Sequence, residues 1–283
     1  MNNPGNIVFI TGCFVSNNCW DDWHLFFRNH GYQTMAPAWP FKKGSAQDQR
    51  NEHPSGNPAL ASLTFKELVS YYENIVKSYN EKPILVGHSM GGLITQILVN
   101  KGLAAAGIAI NSFHPPGIFP HKFRQLRLGW KFFGLFSSPN KTWLMSFRDW
   151  QNGFVNGMSP DGQKIAYKHY CIPESRRATL GALGAAARVD FSQSHVPLLF
   201  ISGSNDNIIP PHLSWRNYKA YKAADSITDY RELPGRTHFV LGQRTWKEDA
   251  GYVLDWLCHR LSAADATEPD VLHTAVFRAL HSS

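Results

Sequence analysis

Short apolar runs alternate with longer amphipathic stretches along most of the chain. Strands are expected near residues 6–11, 32–37, 83–88, 105–111, 197–202 and 226–232, and helices near 19–30, 64–80, 90–101, 211–222 and 244–261. Such alternation predicts an α/β fold, a mostly parallel central sheet flanked by helices and joined by right-handed crossovers. Two stretches break the rhythm. Residues 41–62, polar and rich in Gly, Pro, Asn and Gln, read as a long surface loop. The stretch from Phe113 to His195 reads as an insertion, which leaves on Phe113-His114-Pro115-Pro116-Gly117 and then turns helical and aromatic. Within it Phe123, Leu126, Trp130 and Phe133 recur at i, i+3, i+7 and i+10, one face of a helix. That face is either ordinary packing or one wall of a pocket, with 143–150 and 165–170 as further walls. The expected division is a core in two parts, 1–112 and 196–262, a helical cap over 113–195 and a flexible tail over 263–283.

The candidate chemistry begins at Ser89, in Gly87-His88-Ser89-Met90-Gly91-Gly92. This G-x-S-x-G lies between the apolar run Ile84-Leu85-Val86 and a helical segment, where a sharp turn presents the hydroxyl above the carboxyl edge of a sheet. A serine hydroxyl attacks only if a base takes its proton, and in this arrangement an acid and then a histidine follow in the chain. Asp206 ends the strand-like Leu198-Leu199-Phe200-Ile201 segment, and His238 lies on the loop before the last helix. Any one histidine among 13 is weak evidence. Three residues in the required order, each after a strand, are much stronger, because ligands of open α/β sheets gather at that edge. The Met90 N–H, next after the nucleophile, is one candidate donor to a developing oxyanion.

These residues resemble those of an α/β-hydrolase-fold serine esterase of the capped, single-domain type. The resemblance runs over residues 6–262 and includes Trp20 and Trp23, Gly31-Tyr32, Ala36-Pro37-Ala38-Trp39-Pro40 and Gly235-Arg236-Thr237-His238-Phe239. It implies a second oxyanion donor in the turn after the first strand. There the family often carries His-Gly and this chain has Thr11-Gly12, so that Cys13 matches the donor position and Phe14 is the fallback. Cys13 itself reads as a small buried filler. The resemblance also implies a pocket to which Phe14 and Phe239 could contribute. Dehalogenases and epoxide hydrolases of this fold use Asp at the nucleophile position, and dienelactone hydrolases use Cys; Ser89 argues against all three.

Composition narrows the rest. A hydrophobic content of 43% supports a sizeable core, and no apolar run approaches the roughly 18 residues of a membrane span. The polar N-terminus does not read as a secretory signal. Four cysteines show neither C-x-x-C nor metal-ligand spacing, so a reduced, cytoplasmic protein without metal or cofactor is expected. Net charge is +7, with Lys122, Arg124, Arg127 and Lys131 clustered in the insertion. No nucleic-acid-binding module accompanies that charge. The expected activity is hydrolysis of a small-molecule carboxylic ester or lactone through an acyl-enzyme on Ser89. The aromatic insertion favours a bulky hydrophobic substrate, and resemblance to macrolide and detoxifying esterases makes a macrolactone one candidate. A same-fold lyase, C–C hydrolase or perhydrolase, and a receptor without turnover, remain as alternatives; oligomeric state is open.

Overall fold

A computed structural model describes residues 5–118, 138 and 140–265, the last four without their side chains. In chain order the elements are β1 (Asn6–Ile10), α1 (Asp21–Asn29), β2 (Gln33–Met35), α2 (Ala46–Glu52), α3 (Pro58–Ser62), α4 (Phe65–Lys77), β3 (Ile84–His88), α5 (Met90–Asn100) and β4 (Ala106–Ile110). Then come β5 (Thr142–Trp143), α6 (Phe147–Gly153), α7 (Pro160–Tyr170), β6 (Glu174–Ser175), α8 (Arg176–Gly181), β7 (Leu198–Gly203), α9 (Pro211–Ala220), β8 (Thr228–Leu233) and α10 (Trp246–Asp265). The face bearing Phe123, Leu126, Trp130 and Phe133, the basic cluster of the insertion and the tail beyond 265 lie outside the described residues.

Six strands form one sheet in the order β2-β1-β3-β4-β7-β8, every pairing parallel. This is the α/β-hydrolase fold. The central strands are covered on both faces and are therefore apolar without alternation: every residue of β3, β4 and β7 is buried. Edge strand β8 carries the polar sequence Thr228-Asp229-Tyr230-Arg231-Glu232 and is mostly part-exposed. From β1 the chain steps outward to β2, whereas from β3 it steps the other way to β4, β7 and β8. Right-handed crossovers therefore put α1 on one face and α5 on the other. The crevice between the carboxyl ends of β1 and β3 is the point at which the direction reverses, where sheets of this kind bind ligands.

On the first face, Phe9 of β1 stacks on Trp20 with centroids 4.8 Å apart, Trp20 meets Trp23 edge-on at 5.7 Å, and Trp23 packs on Phe27. On the other face α5 is buried from Met90 to Val99, an all-round apolar helix as expected of one enclosed by sheet and neighbours. Its Thr95 and Gln96 are satisfied internally, Thr95 by the Gly91 carbonyl and Gln96 by Ser112 and Tyr221.

The 41–62 stretch, expected as a surface loop, instead contains α2 and α3. Ser45 and Asp48 form a reciprocal capping box on α2; Asn57 caps α3, with Pro58 in its first turn. Buried Lys42, Gln49, Leu60 and Ala61 tie the stretch down. Arg50 of α2 donates from its guanidinium to the carbonyls of Tyr167, Lys168 and Cys171 at the end of α7, of which Tyr167 also accepts the Cys171 N–H. Among the described residues no helix is long and apolar enough to cross a membrane.

Removing the Arg50 fork takes a donor from three carbonyls, of which Tyr167 keeps the Cys171 N–H. Arg50→Ala is expected to lower stability by about 1.5–3 kcal/mol in chemical denaturation. Arg50→Lys, a point charge in place of a planar fork, should recover only part of that. A cost below about 0.5 kcal/mol for the alanine variant would mean that solvent replaces the fork.

Candidate active site

Ser89 sits between β3 and α5 with φ 55° and ψ −118°, a strained conformation for a residue with a side chain. Its own backbone holds it there: the Ser89 N–H donates to the Ile110 carbonyl at 2.9 Å and its carbonyl accepts from the Phe113 N–H at 2.9 Å. The turn also needs bare backbone around it. A Cβ on Gly91 would fall 1.9 Å from the Ile10 carbonyl oxygen, and one on Gly12 would fall 2.7 Å from the Ser89 Cβ. The exit of β1 thus runs directly across the serine.

The loops after β7 and β8 meet at this point. His238 Nδ1 lies 2.8 Å from Asp206 Oδ2, and His238 Nε2 lies 3.1 Å from Ser89 Oγ. A carboxylate only accepts, so Nδ1 carries the proton and Nε2 is left to accept from the serine hydroxyl. The other oxygen of Asp206, Oδ1, accepts from the Ile208 and Ile209 amides, which fixes the carboxylate plane. All three side chains are buried. Ser89, Asp206 and His238, far apart in the chain, are brought together in the expected order. The arrangement can take a proton from the hydroxyl and stabilise the imidazolium that results.

The position of His238 is set through its main chain. Its carbonyl accepts from His88 Nε2 at 2.7 Å and from Asn111 Nδ2 at 3.1 Å. Asn111 also donates to the Thr237 carbonyl, and its Oδ1 accepts from the Gly203 amide, so one buried amide joins β4, β7 and the histidine loop. The Phe239 N–H donates to the Phe154 carbonyl, and the Phe154 ring stands edge-on to the imidazole at 4.6 Å. Trp150 stacks on Phe154 at 4.7 Å, and Phe239 packs against Trp150 and Tyr170. Phe239 is thus a packed residue of this aromatic wall. His88 must donate from Nε2, which leaves Nδ1 with a lone pair and no partner among the described residues. Burial, and then the neighbouring His238, push the His88 pKa well below the ordinary histidine value, so His88 stays neutral.

The candidate oxyanion donors flank Ser89. The amides of Cys13 and Met90, both in fully buried residues, make no hydrogen bond among the described residues. Phe14, the fallback donor, is not available. Its φ is 63°, and its N–H donates to Glu174 Oε2 at 3.1 Å while its carbonyl accepts from the Ile172 N–H. Glu174 is fully buried, and its Oε2 is also ion-paired with the buried Lys42 at 2.7 Å. Thr11 stands where the family often has histidine. Its hydroxyl has no partner among the described residues, and its carbonyl is held by Trp39 Nε1 at 3.0 Å. Burial, then the Glu174 charge, push the Cys13 thiol well up while Lys42 opposes them, which keeps it protonated. His88, Asn111, Lys42 and Glu174 were not singled out from the sequence. Only His88, inside the serine motif, carried a local signal.

The sequence matches the alpha/beta hydrolase family over residues 7–250. The chain belongs to that family. Solved structures similar to this hydrolase include a monoacylglycerol lipase from Paleococcus ferrophilus, 19% identical, with 91% of this chain and 95% of that one covered and a TM-score of 0.65. An extracellular alpha/beta-hydrolase from a Paenibacillus species, described as sharing structural and functional homology with tobacco salicylic acid binding protein 2, is 19% identical, with 89% and 98% covered and a TM-score of 0.66. A methylesterase from Arabidopsis is 14% identical, with 90% and 99% covered and a TM-score of 0.63. Comparison with curated protein sequences finds no match. At these identities the structural likeness establishes the fold.

A neutral buried His88 has a signature in the pH dependence of this hydrolase. Below the ordinary histidine pKa of about 6.5 the unfolded chain binds a proton there that the folded chain refuses. The refused proton therefore costs nothing at neutral pH and lowers stability as pH falls below about 6.5, by up to about 1.4 kcal/mol per pH unit. Between pH 7 and 5 the stability of His88→Asn is expected to fall less steeply than that of the unaltered protein. Parallel curves would mean that His88 is charged in the fold.

Proposed function

We propose that this alpha/beta hydrolase cleaves carboxylic esters through an acyl-enzyme on Ser89. The observation that carries the reading is the continuous buried contact from Ser89 Oγ through the His238 ring to Asp206, beside two amides without acceptors among the described residues. His238 Nε2 takes the serine proton as Oγ attacks the ester carbonyl. Asp206 holds the Nδ1–H tautomer and offsets the positive charge on the ring. The Cys13 and Met90 amides receive the negative oxygen of the tetrahedral intermediate, within a water-poor site where such donors act most strongly. The imidazolium then protonates the leaving alkoxide, and His238 next activates a water that releases the acid. In a lactone the alkoxide stays tethered to the acyl group, and the product is a hydroxy acid.

The relatives described as a lipase and a methylesterase are compatible with this chemistry and do not choose its substrate. We assign the described residues of the segment between β4 and β7, 113–118, 138 and 140–195, to a cap over Ser89. Trp150, Phe154 and Tyr170 form an apolar wall beside the imidazole, which favours a hydrophobic acyl or alcohol group and excludes water from the reacting atoms. On this reading a bulky ester or a macrolactone is favoured over a small acetate.

Ser89→Ala is expected to reduce turnover of p-nitrophenyl esters by several orders of magnitude with the fold intact by circular dichroism, because the three groups act as a unit. Turnover like that of the unaltered protein would remove the mechanism. A panel of esters, lactones and cyanohydrins, read by mass spectrometry, separates hydrolysis from lyase chemistry.

Asp206→Asn keeps the shape of the side chain but stabilises the opposite imidazole tautomer. A loss of kcat of up to about ten-thousandfold is expected. A loss below tenfold would mean that another group orients His238.

A further inference from the structure

The buried ion pair between Lys42 and Glu174 has no part in the proton transfers above, yet it reaches the turn that crosses Ser89. Lys42 comes from the stretch after β2 and Glu174 from β6, within the long segment between β4 and β7. Neither is close to the nucleophile in sequence. Glu174 Oε1 accepts from the Ser175 amide, and Oε2 accepts both the Phe14 N–H and the Lys42 ammonium, so the carboxylate is fully engaged. Lys42 also lies over the Trp39 ring at 3.8 Å, and Trp39 holds the Thr11 carbonyl. Two hydrogen bonds thus converge on residues 11–14, and Lys42 ties their two side chains together. Two more bonds run alongside them, from Ile172 N–H to the Phe14 carbonyl and from Ser16 N–H to the Tyr170 carbonyl, with Val15 bridged to Cys171.

These contacts bear on a backbone that would not hold its shape unaided. Phe14 is a bulky residue at φ 63°, a conformation that L-residues with side chains avoid. If its N–H lost the carboxylate, the Cys13–Phe14 peptide would be free to rotate towards an ordinary conformation. The Cys13 amide, one residue back and joined to Gly12, which lies against Ser89, would move with it. A carboxylate in this place also carries a cost. Negative charge near a developing oxyanion opposes it, unless a cation within the same low-dielectric region cancels the field.

We propose that Glu174 is a positioning residue for the oxyanion-stabilising turn: its carboxylate captures the Phe14 N–H and so leaves the Cys13 amide for the substrate oxygen, while Lys42 neutralises the charge that this capture brings in. The proposal rests on the reading of Ser89 as the nucleophile. It replaces the support that the family's histidine at the Thr11 position would give the turn by one that comes from the segment between β4 and β7.

The test uses Glu174→Ala, Lys42→Met and the double variant Lys42→Met with Glu174→Gln. Each is measured for melting temperature, kcat and KM on a p-nitrophenyl ester, and rate of Ser89 labelling by a fluorophosphonate, whose attack also forms an anionic oxygen in the hole. Glu174→Ala is expected to lower kcat and labelling rate by about ten- to a hundredfold with KM changed less than about threefold. That is less than the roughly hundred- to thousandfold cost of deleting an oxyanion donor, because the amide is still there but misplaced. Lys42→Met, which leaves the carboxylate uncompensated, should lose activity as well. The double variant keeps an oxygen for the Phe14 N–H without either charge, and should return kcat to within about fivefold of the unaltered protein.

A folded Glu174→Ala with kcat and labelling within twofold of normal would overturn the proposal, as would a loss confined to KM. Should Glu174→Ala fail to fold, the other two variants decide: a double variant no more active than Lys42→Met would overturn it. Absence of labelling in the unaltered protein would overturn the Ser89 reading and this proposal with it, whereas normal labelling there with an unimpaired Glu174→Ala removes this proposal alone.

Discussion

Two pieces of backbone touch in this protein with no side chain between them. The exit of β1 lies against the turn from β3 into α5, and the Ile10 carbonyl occupies the space where any Cβ on Gly91 would stand. The rest of the site is built around that contact. It brings Gly12, the residue before Cys13, against Ser89, and it requires β1 and β3 to be neighbours, which places the crevice where the chain reverses its direction across the sheet. It also explains why α5 is apolar on every side: a helix that starts beneath this junction has sheet on one side and other helices around it.

The six strands and the core helices were legible as short, largely apolar runs alternating with longer amphipathic stretches, and Ser89 was legible because a strand–turn–helix with small flanking residues leaves a local mark. Asp206 and His238, which the fold brings to Ser89, followed from chain order. The parts that were missed share a different property. Glu174 meets Phe14 across 160 positions and Lys42 across 132, and nothing local distinguishes one buried acid among 21 acidic residues. Asn111 likewise looks like an ordinary residue after a strand until it is seen to donate to two carbonyls of the histidine loop. The 41–62 stretch failed for another reason. Its composition suggested a loop, while Ser45 with Asp48, and Asn57 with Pro58, are helix-start signals that outweighed it. Phe14 was offered as a donor from its place beside Cys13; only the fold reveals that its amide is already used.

The segment between β4 and β7 therefore does more than pack against the sheet. Through Glu174, Ile172 and Tyr170 it braces the turn after β1, and through Phe154 it touches both the backbone and the ring at His238. Arg50 fastens α7 of the same segment to α2. Variation in this segment, where hydrolases of one fold are free to differ, is limited here by duties owed to the core.

The anchoring of His238 by its own carbonyl carries a consequence for how such a site can change. His88 and Asn111 grip the main chain, not the imidazole, so the loop keeps its course whatever side chain stands at position 238. A slot bounded by Phe154, Asp206 and Ser89 would remain where the ring had been. Reactivity and scaffold are thus separable at this position: lineages can lose or exchange the reactive group there without first having to rebuild the loop that carries it.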